Sequence, residues 1–236
     1  MTYVEGFVCA VPTANKEAYV RHAEAAWPLF SEFGVVRMAE CWGDDVPDGK
    51  VNDFRGAVQA KPDESIVFSW FEYPDKATRD SATQKMMSDP RMQKMGAEMP
   101  FDGKRMIVGG FAVLLDQGPG GAMGYTDGYL VPVPAGNKDA YRALAEKMAP
   151  KFVECGATRV VEGWADDVPT GEVTDYARAL HISGDEVAIF SWVEWPDKAT
   201  RTAGWEKMRA MQGDSDKTPF DGMRIIYGGF VPVIDR

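Results

Sequence analysis

The sequence predicts an α+β fold: two ferredoxin-like βαββαβ repeats packed sheet to sheet. Three observations carry this prediction. The two halves of the chain repeat each other. Within each half, period-2 and period-3.6 apolar segments alternate in the order β-α-β-β-α-β. Such a unit has helices on one face of its sheet only, so the other face must be covered by something, and a second copy supplies the cover.

The repeat is direct. Tyr3-Val4-Glu5-Gly6-Phe7 returns as Tyr125-Thr126-Asp127-Gly128-Tyr129, and Asp44-Asp45-Val46-Pro47 as Asp166-Asp167-Val168-Pro169. Phe68-Ser69-Trp70 returns as Phe190-Ser191-Trp192, and Pro74 through Arg79 returns unchanged as Pro196 through Arg201. Nearly half of the aligned positions from Tyr3 to Ser88 are identical in the second copy. The division is residues 1–115, a linker at 116–122 and residues 123–236. The linker core, Gly118-Pro119-Gly120-Gly121, breaks helix and strand. Seven extended residues span at most about 25 Å, enough for two units to dock and too little for them to work apart. The pair is therefore expected to behave as a two-fold dimer fused into one chain, with further self-association left open.

Within one copy, residues 3–11 read as a strand closed by Pro12. Asn15 and Asn137 are placed to cap the following helix with their side-chain oxygens. Tyr19, Ala23, Ala26, Phe30 and Phe33 follow helical spacing, as do Tyr141, Ala145, Met148, Phe152 and Cys155. Gly34 and Gly156 end these helices, and Pro28 and Pro150 are expected to kink them. Residues 36–44 and 65–73 read as strands, with Val51 to Gln59 extending their hairpin. Asp75 and Asp197 cap a second helix, and residues 104–114 form the last strand.

Composition narrows the function classes. The 236 residues carry a net charge of −10, spread evenly over both halves. A phosphate backbone needs clustered Lys and Arg, so nucleic acid is not an expected partner and RNA binding is the weakest alternative. No apolar run approaches the roughly 18–20 residues of a membrane span, and Met1 to Glu5 lack a basic signal region, so neither membrane nor secretion is expected. Cys9, Cys41 and Cys155 are odd in number and unmatched between copies, which fits free thiols in a cytoplasmic protein.

The opening Tyr-Val-x-Gly-Phe, the Asp44-Asp45-Val46 turn, Phe68-Ser69-Trp70, Asp89-Pro90-Arg91-Met92 and the stretch from Met99 to Ile107 with Gly109-Gly110-Phe111 resemble the YbaA-like proteins, domain of unknown function family 1428. The resemblance covers nearly all of both copies. It implies the dimeric α/β-barrel architecture, here within one chain, and it brings no reaction, because the family is uncharacterised. Its members are usually single domains of about half this length. The chain departs from the pattern by being duplicated. Its second copy also has Gly213-Asp214-Ser215-Asp216 where the first has Asp-Pro-Arg-Met.

Strand alternation sorts the shared polar residues. Glu40, Trp42 and Asp44 share a face, as do Phe68, Trp70 and Glu72 on the next strand. Glu162, Trp164, Asp166 and Phe190, Trp192, Glu194 repeat both sets. The functional reading is a small-molecule pocket walled by Trp42, Trp70, Trp164 and Trp192, in which Glu40, Glu72, Glu162 or Glu194, its pKa raised by burial, acts as acid or base. The alternative is a non-catalytic structural or interaction module, with the tryptophans filling the space between sheets and the acids bonded at its rim. Arg79, Arg201, Arg105 and Arg224 either clamp an anionic ligand or pair with Asp102, Asp221 and the strand acids. Asp44-Asp45 and Asp166-Asp167 read as solvated turns rather than cation sites. His22 and His181 have no counterparts, and no phosphate loop, dinucleotide fingerprint or paired-cysteine motif is present, so no metal or cofactor is expected. Gly109-Gly110 suggests a bulge or a close backbone approach. Met86, Met87, Met92, Met95 and Met99 read as helix core, with an adaptable apolar wall as the alternative.

Overall fold

A computed structural model describes residues 2–211 and 218–236. The elements run β1 (Tyr3–Pro12), α1 (Lys16–Phe33), β2 (Arg37–Asp45), α2 (Phe54–Ala57), β3 (Glu64–Tyr73), α3 (Lys76–Ser88), α4 (Pro90–Ala97) and β4 (Ile107–Gln117). The second half follows with β5 (Tyr125–Pro134), α5 (Lys138–Glu154), β6 (Arg159–Asp167), α6 (Tyr176–Ala179), β7 (Glu186–Trp195), α7 (Lys198–Met211) and β8 (Ile226–Asp235). Asp116 and Gln117, expected in the linker, extend β4. The Gly213 to Asp216 replacement lies outside the described residues.

All eight strands form one closed antiparallel barrel in the order β1-β3-β2-β8-β5-β7-β6-β4. The two halves therefore do more than stack face to face. β2 pairs with β8 and β4 with β6, so each half closes the other's sheet edges. The described residues thus form a pseudo-dimer within one chain. Every second strand residue points inward and builds one core shared by both halves. Phe68 stacks on Phe190 with centroids 4.5 Å apart, and Trp70 on Trp192 at 4.4 Å. A Cβ on Gly6 would lie 2.7 Å from the Phe190 ring, and one on Gly128 2.9 Å from Phe68. The repeated glycine of the opening motif therefore leaves room for the opposite copy's phenylalanine. Likewise Gly110 and Gly229 admit the rings of Tyr3 and Tyr125, and the β4–β6 register shifts at Gly110. That is the close approach and irregularity the Gly-Gly pair suggested.

Both barrel ends are closed. At one end, Val51 to Gln59 does not extend the hairpin. It folds over as a loop carrying α2, whose Phe54 is fully buried, and α6 places Tyr176 opposite. At the other end, Arg37 bonds Glu194 (2.6 Å) and Asp235 (2.8 Å), while Arg159 bonds Glu72 (2.7 Å) and Asp116 (2.8 Å).

The long helices lie outside, over alternate strand residues. Asp75 and Asp197 cap α3 and α7 as expected, accepting from Thr78 and Thr200 amides. Asn15 and Asn137 do not cap α1 and α5. Their side-chain amides instead donate to the Pro100 and Pro219 carbonyls, tying each helix start to the Phe-Asp-Gly turn. α1 and α5 run unbroken through Pro28 and Pro150 and stop at Gly34 and Gly156, both at positive φ.

The Asp-Asp turns hold the two copies together. Asp44 accepts from Tyr125 (2.8 Å) and pairs with Lys198 (2.6 Å), and Asp45 pairs with Arg201 (2.8 Å). In mirror fashion Asp166 bonds Tyr3 (3.0 Å) and Lys76 (2.6 Å), and Asp167 pairs with Arg79. Among the described residues, no helix is long and apolar enough to cross a membrane.

Candidate functional site

Two cavities lie between the outer face of the barrel and its helices, one in each half. The first, of about 490 Å³, is lined by β1, α1, β2, β3, α3 and α4 residues. The second, of about 710 Å³, is lined by the equivalent β5, α5, β6, β7 and α7 residues. Both volumes fall in the range of small-molecule sites. The cavities exist where they do because alternation along each strand sends one set of residues into the barrel and leaves the other under the helices.

Each cavity has the same polar patch in an apolar wall. β2 presents Glu40 outward, and the β2–β3 register sets Ser69 directly opposite it. From α1, the Tyr19 hydroxyl donates to Glu40 Oε2 at 2.6 Å. β6 and β7 set Glu162 opposite Ser191, and Tyr141 donates to Glu162 Oε2 at 2.7 Å. Burial pushes the Glu40 carboxyl up to about 7, against the opposing pull of hydrogen bonds from Tyr19 and Ser69. Glu162 rises to about 7 for the same reason, opposed by Tyr141 and Ser191. Burial, with the neighbouring carboxylate, lifts the Tyr19 and Tyr141 phenols well above their usual value, so both stay protonated. Trp42 packs edge-on against Tyr19 and Trp164 against Tyr141, bracing the two phenols.

A second acid sits nearby in each half, held by an arginine. Glu5 bonds Arg79 (3.0 Å) and Tyr73 (3.3 Å). Its counterpart Asp127 accepts from Arg201 (2.8 Å), Trp195 (3.0 Å) and Trp205 (2.8 Å). Arg79 and Arg201 each reach on to an aspartate of the other copy, so each cavity is buttressed across the pseudo-two-fold.

The structure separates the residues that strand alternation had grouped. Glu40 and Trp42 face the helices, but Phe68, Trp70 and Glu72 face into the barrel, and the second copy does the same. Pairing of Glu40 with Ser69, and of Cys41 with Phe68, sets this parity. Trp70 and Trp192 thus stack in the core, and although Trp192 also borders the second cavity, neither Trp42 nor Trp164 lines either cavity. Glu72 and Glu194 are not pocket acids either: each accepts from the indole of its own Trp and from Arg159 or Arg37. Arg105 is tied to Glu64 and Asp102, and Arg224 to Glu186 and Asp221. Neither is available as an anion clamp.

Sequence reasoning missed Tyr19, Tyr141, Ser69 and Ser191 as site residues. The signal was present: both copies keep the tyrosine, and both keep a serine between two large aromatics. Of the methionines read as helix core, Met86, Met92 and Met95 do pack against the outer core cluster, and all five, with Met106, also wall the first cavity. All three cysteines are buried and free, and the described residues hold no cluster of His, Cys, Asp and Glu able to bind a metal.

Fold and site define a class: an eight-stranded α+β barrel made from two copies in one chain, with a helix-covered cavity in each half. The chain belongs to the family described as "Protein of unknown function (DUF1428)", which matches residues 2–103 and again 124–222. It is 62% identical over 117 residues to the "Uncharacterized protein YbaA" of Escherichia coli strain K12, a match spanning 50% of this chain and 100% of that protein. Among solved structures, it superposes on a "Putative monooxygenase" from Fusobacterium nucleatum with a TM-score of 0.60 and 10% identity, covering 100% of this chain and 94% of the other. An anthrone oxidase-like protein gives 0.57 at 10% identity, covering 100% and 92%. These two likenesses concern the fold alone.

Proposed function

We propose that the protein binds small apolar molecules in its two helix-covered cavities and that Glu40 and Glu162 exchange a proton with the bound molecule. The carrying observation is the buried Glu–Tyr pair, backed by a serine, in a mostly apolar wall, built twice from equivalent residues. A carboxyl titrating near 7 is present in both forms at neutral pH and can give or take a proton with little bias. The protonated phenol beside it is a fixed donor, suited to a ligand oxygen on which charge develops. The chemistry that fits is removal of a proton from a hydroxyl or from carbon next to a carbonyl, and its return. The strand order β4-β1-β3-β2, repeated as β8-β5-β7-β6, supports reading each half as a ferredoxin-like unit, divided near residues 116–122. The oxidase and oxygenase names of fold neighbours suggest, by analogy only, a ligand activated by losing a proton.

The test is a thermal-shift screen of aromatic ketones and phenols, followed by solvent-deuterium exchange into the carbon-bound hydrogens next to the carbonyl of any ketone that binds. Wild type is expected to melt higher with a binder and to exchange its acidic hydrogen. The double variant Glu40→Gln, Glu162→Gln should bind but not exchange. Absence of any shift across the screen, or exchange undiminished in the double variant, sinks the reading. The second reading, a module without chemistry, is favoured by the Asp-Asp turns and the Lys-Ala-Thr-Arg segments. These shared motifs are already occupied in holding the copies together.

A further inference from the structure

The two cavities share their polar patch but not their rims. Met86, Met87, Met92, Met95, Met99 and Met106 line the first, whereas among the described residues Met148 is the one methionine lining the second. Thioethers on flexible stems adapt to apolar shapes of different outline. The second cavity carries Trp205 and Arg209 where the first carries Thr83 and Met87. Arg209 is exposed on α7, and among the described residues it makes no ion pair or hydrogen bond. The acids lining the same cavity are already engaged: Asp45 and Asp127 are both held by Arg201, and Glu162 by Tyr141.

We infer that the cavities have diverged in ligand charge: the first takes a neutral apolar molecule, the second an amphipathic anion whose head group meets Arg209. An anion cannot approach the Glu162 carboxyl without like-charge repulsion or loss of hydration, so it enters apolar end first. Its charge then remains at the rim, where a guanidinium that no carboxylate engages among the described residues matches a carboxylate or sulfonate. The inference rests on the cavities being ligand sites, as proposed above.

Two fluorescent probes of one ring system separate the issues: neutral N-phenyl-naphthylamine, and its relative carrying a charge, anilinonaphthalene sulfonate. The neutral probe is expected to fill two sites and the sulfonate one. Arg209→Met should weaken the sulfonate about fivefold, the upper end for an exposed ion pair, and leave the neutral probe unchanged. Met87→Arg should create a second sulfonate site. Met87 is 77% exposed, so neither substitution touches the core, and neutral-probe binding verifies the fold. Two neutral sites with sulfonate binding indifferent to Arg209→Met and Met87→Arg would overturn the divergence and leave the cavities standing. No binding of either probe would overturn both.

Discussion

The inside of the barrel and the layer between barrel and helices are built from the same strands, and they differ completely. Trp70 and Ser69 are neighbours in β3, yet Trp70 is stacked in an aromatic core and Ser69 borders a cavity. Cys41 and Glu40 divide in the same way on β2. The interior is filled from both copies, so any change there is felt by both. The outer layers are built mainly from one copy each, with one strand of the other copy at the edge, and have been left hollow. Dense packing and cavity space have thus been assigned to opposite faces of each strand.

The largest expected effect breaks the filled side. Trp70→Ala removes half of a stacked pair at the centre of the molecule and should cost about 3–5 kcal/mol of unfolding free energy. Ser69→Ala, one residue away, should cost only about 1 kcal/mol. Denaturant titration reads both. Equal losses would mean that the two faces are not energetically distinct.

The next effect concerns the hollow side and depends on pH. Glu40 and Glu162 have folded values near 7, above their unfolded values near 4.5. The folded state holds these protons more tightly, so their favourable contribution is complete below about 4.5 and is lost as pH rises through 7. At pH 8 each carboxylate destabilises by about 3 kcal/mol at most. Glu40→Gln should therefore gain stability on wild type as pH rises from 5 to 8. A gap between the two proteins that stays constant over that range would refute the raised value.

The smallest effect tests the seam between copies. Lys198→Ala deletes a half-exposed pair with Asp44 and should cost under about 1 kcal/mol, less in high salt. A much larger loss in thermal unfolding would show that the Asp-Asp turns hold the copies together more strongly than exposed ion pairs ordinarily do.

Much of the architecture was legible because it rests on local rules. The internal repeat, the strand and helix segments, the aspartate caps and the Gly-Gly irregularity each follow from periodicity or backbone chemistry within a few residues. The asparagine caps failed because a 3-10 turn leads into each helix and holds Asn15 and Asn137 at ψ of 8° and 12°, outside the extended backbone that an N-cap adopts, while their amides donate to Pro100 and Pro219. The hairpin extension failed because Phe54 had a barrel end to fill. At the site, Glu40 and Glu162 were found from alternation, but their tyrosine partners come from another element.

The sequence by itself determined that this chain is two copies of one βαββαβ pattern, and which residues on each strand share a face. Only the tertiary structure decided which face goes inward, because alternation has the same period on both sides of a sheet and the choice is made by register with the neighbouring strand. It also decided that the copies share one closed barrel, since the pairing of β2 with β8 and β4 with β6 joins segments that no local signal connects. That closure sends Trp70 and Trp192 to the core and leaves Glu40 and Glu162 beside the cavities.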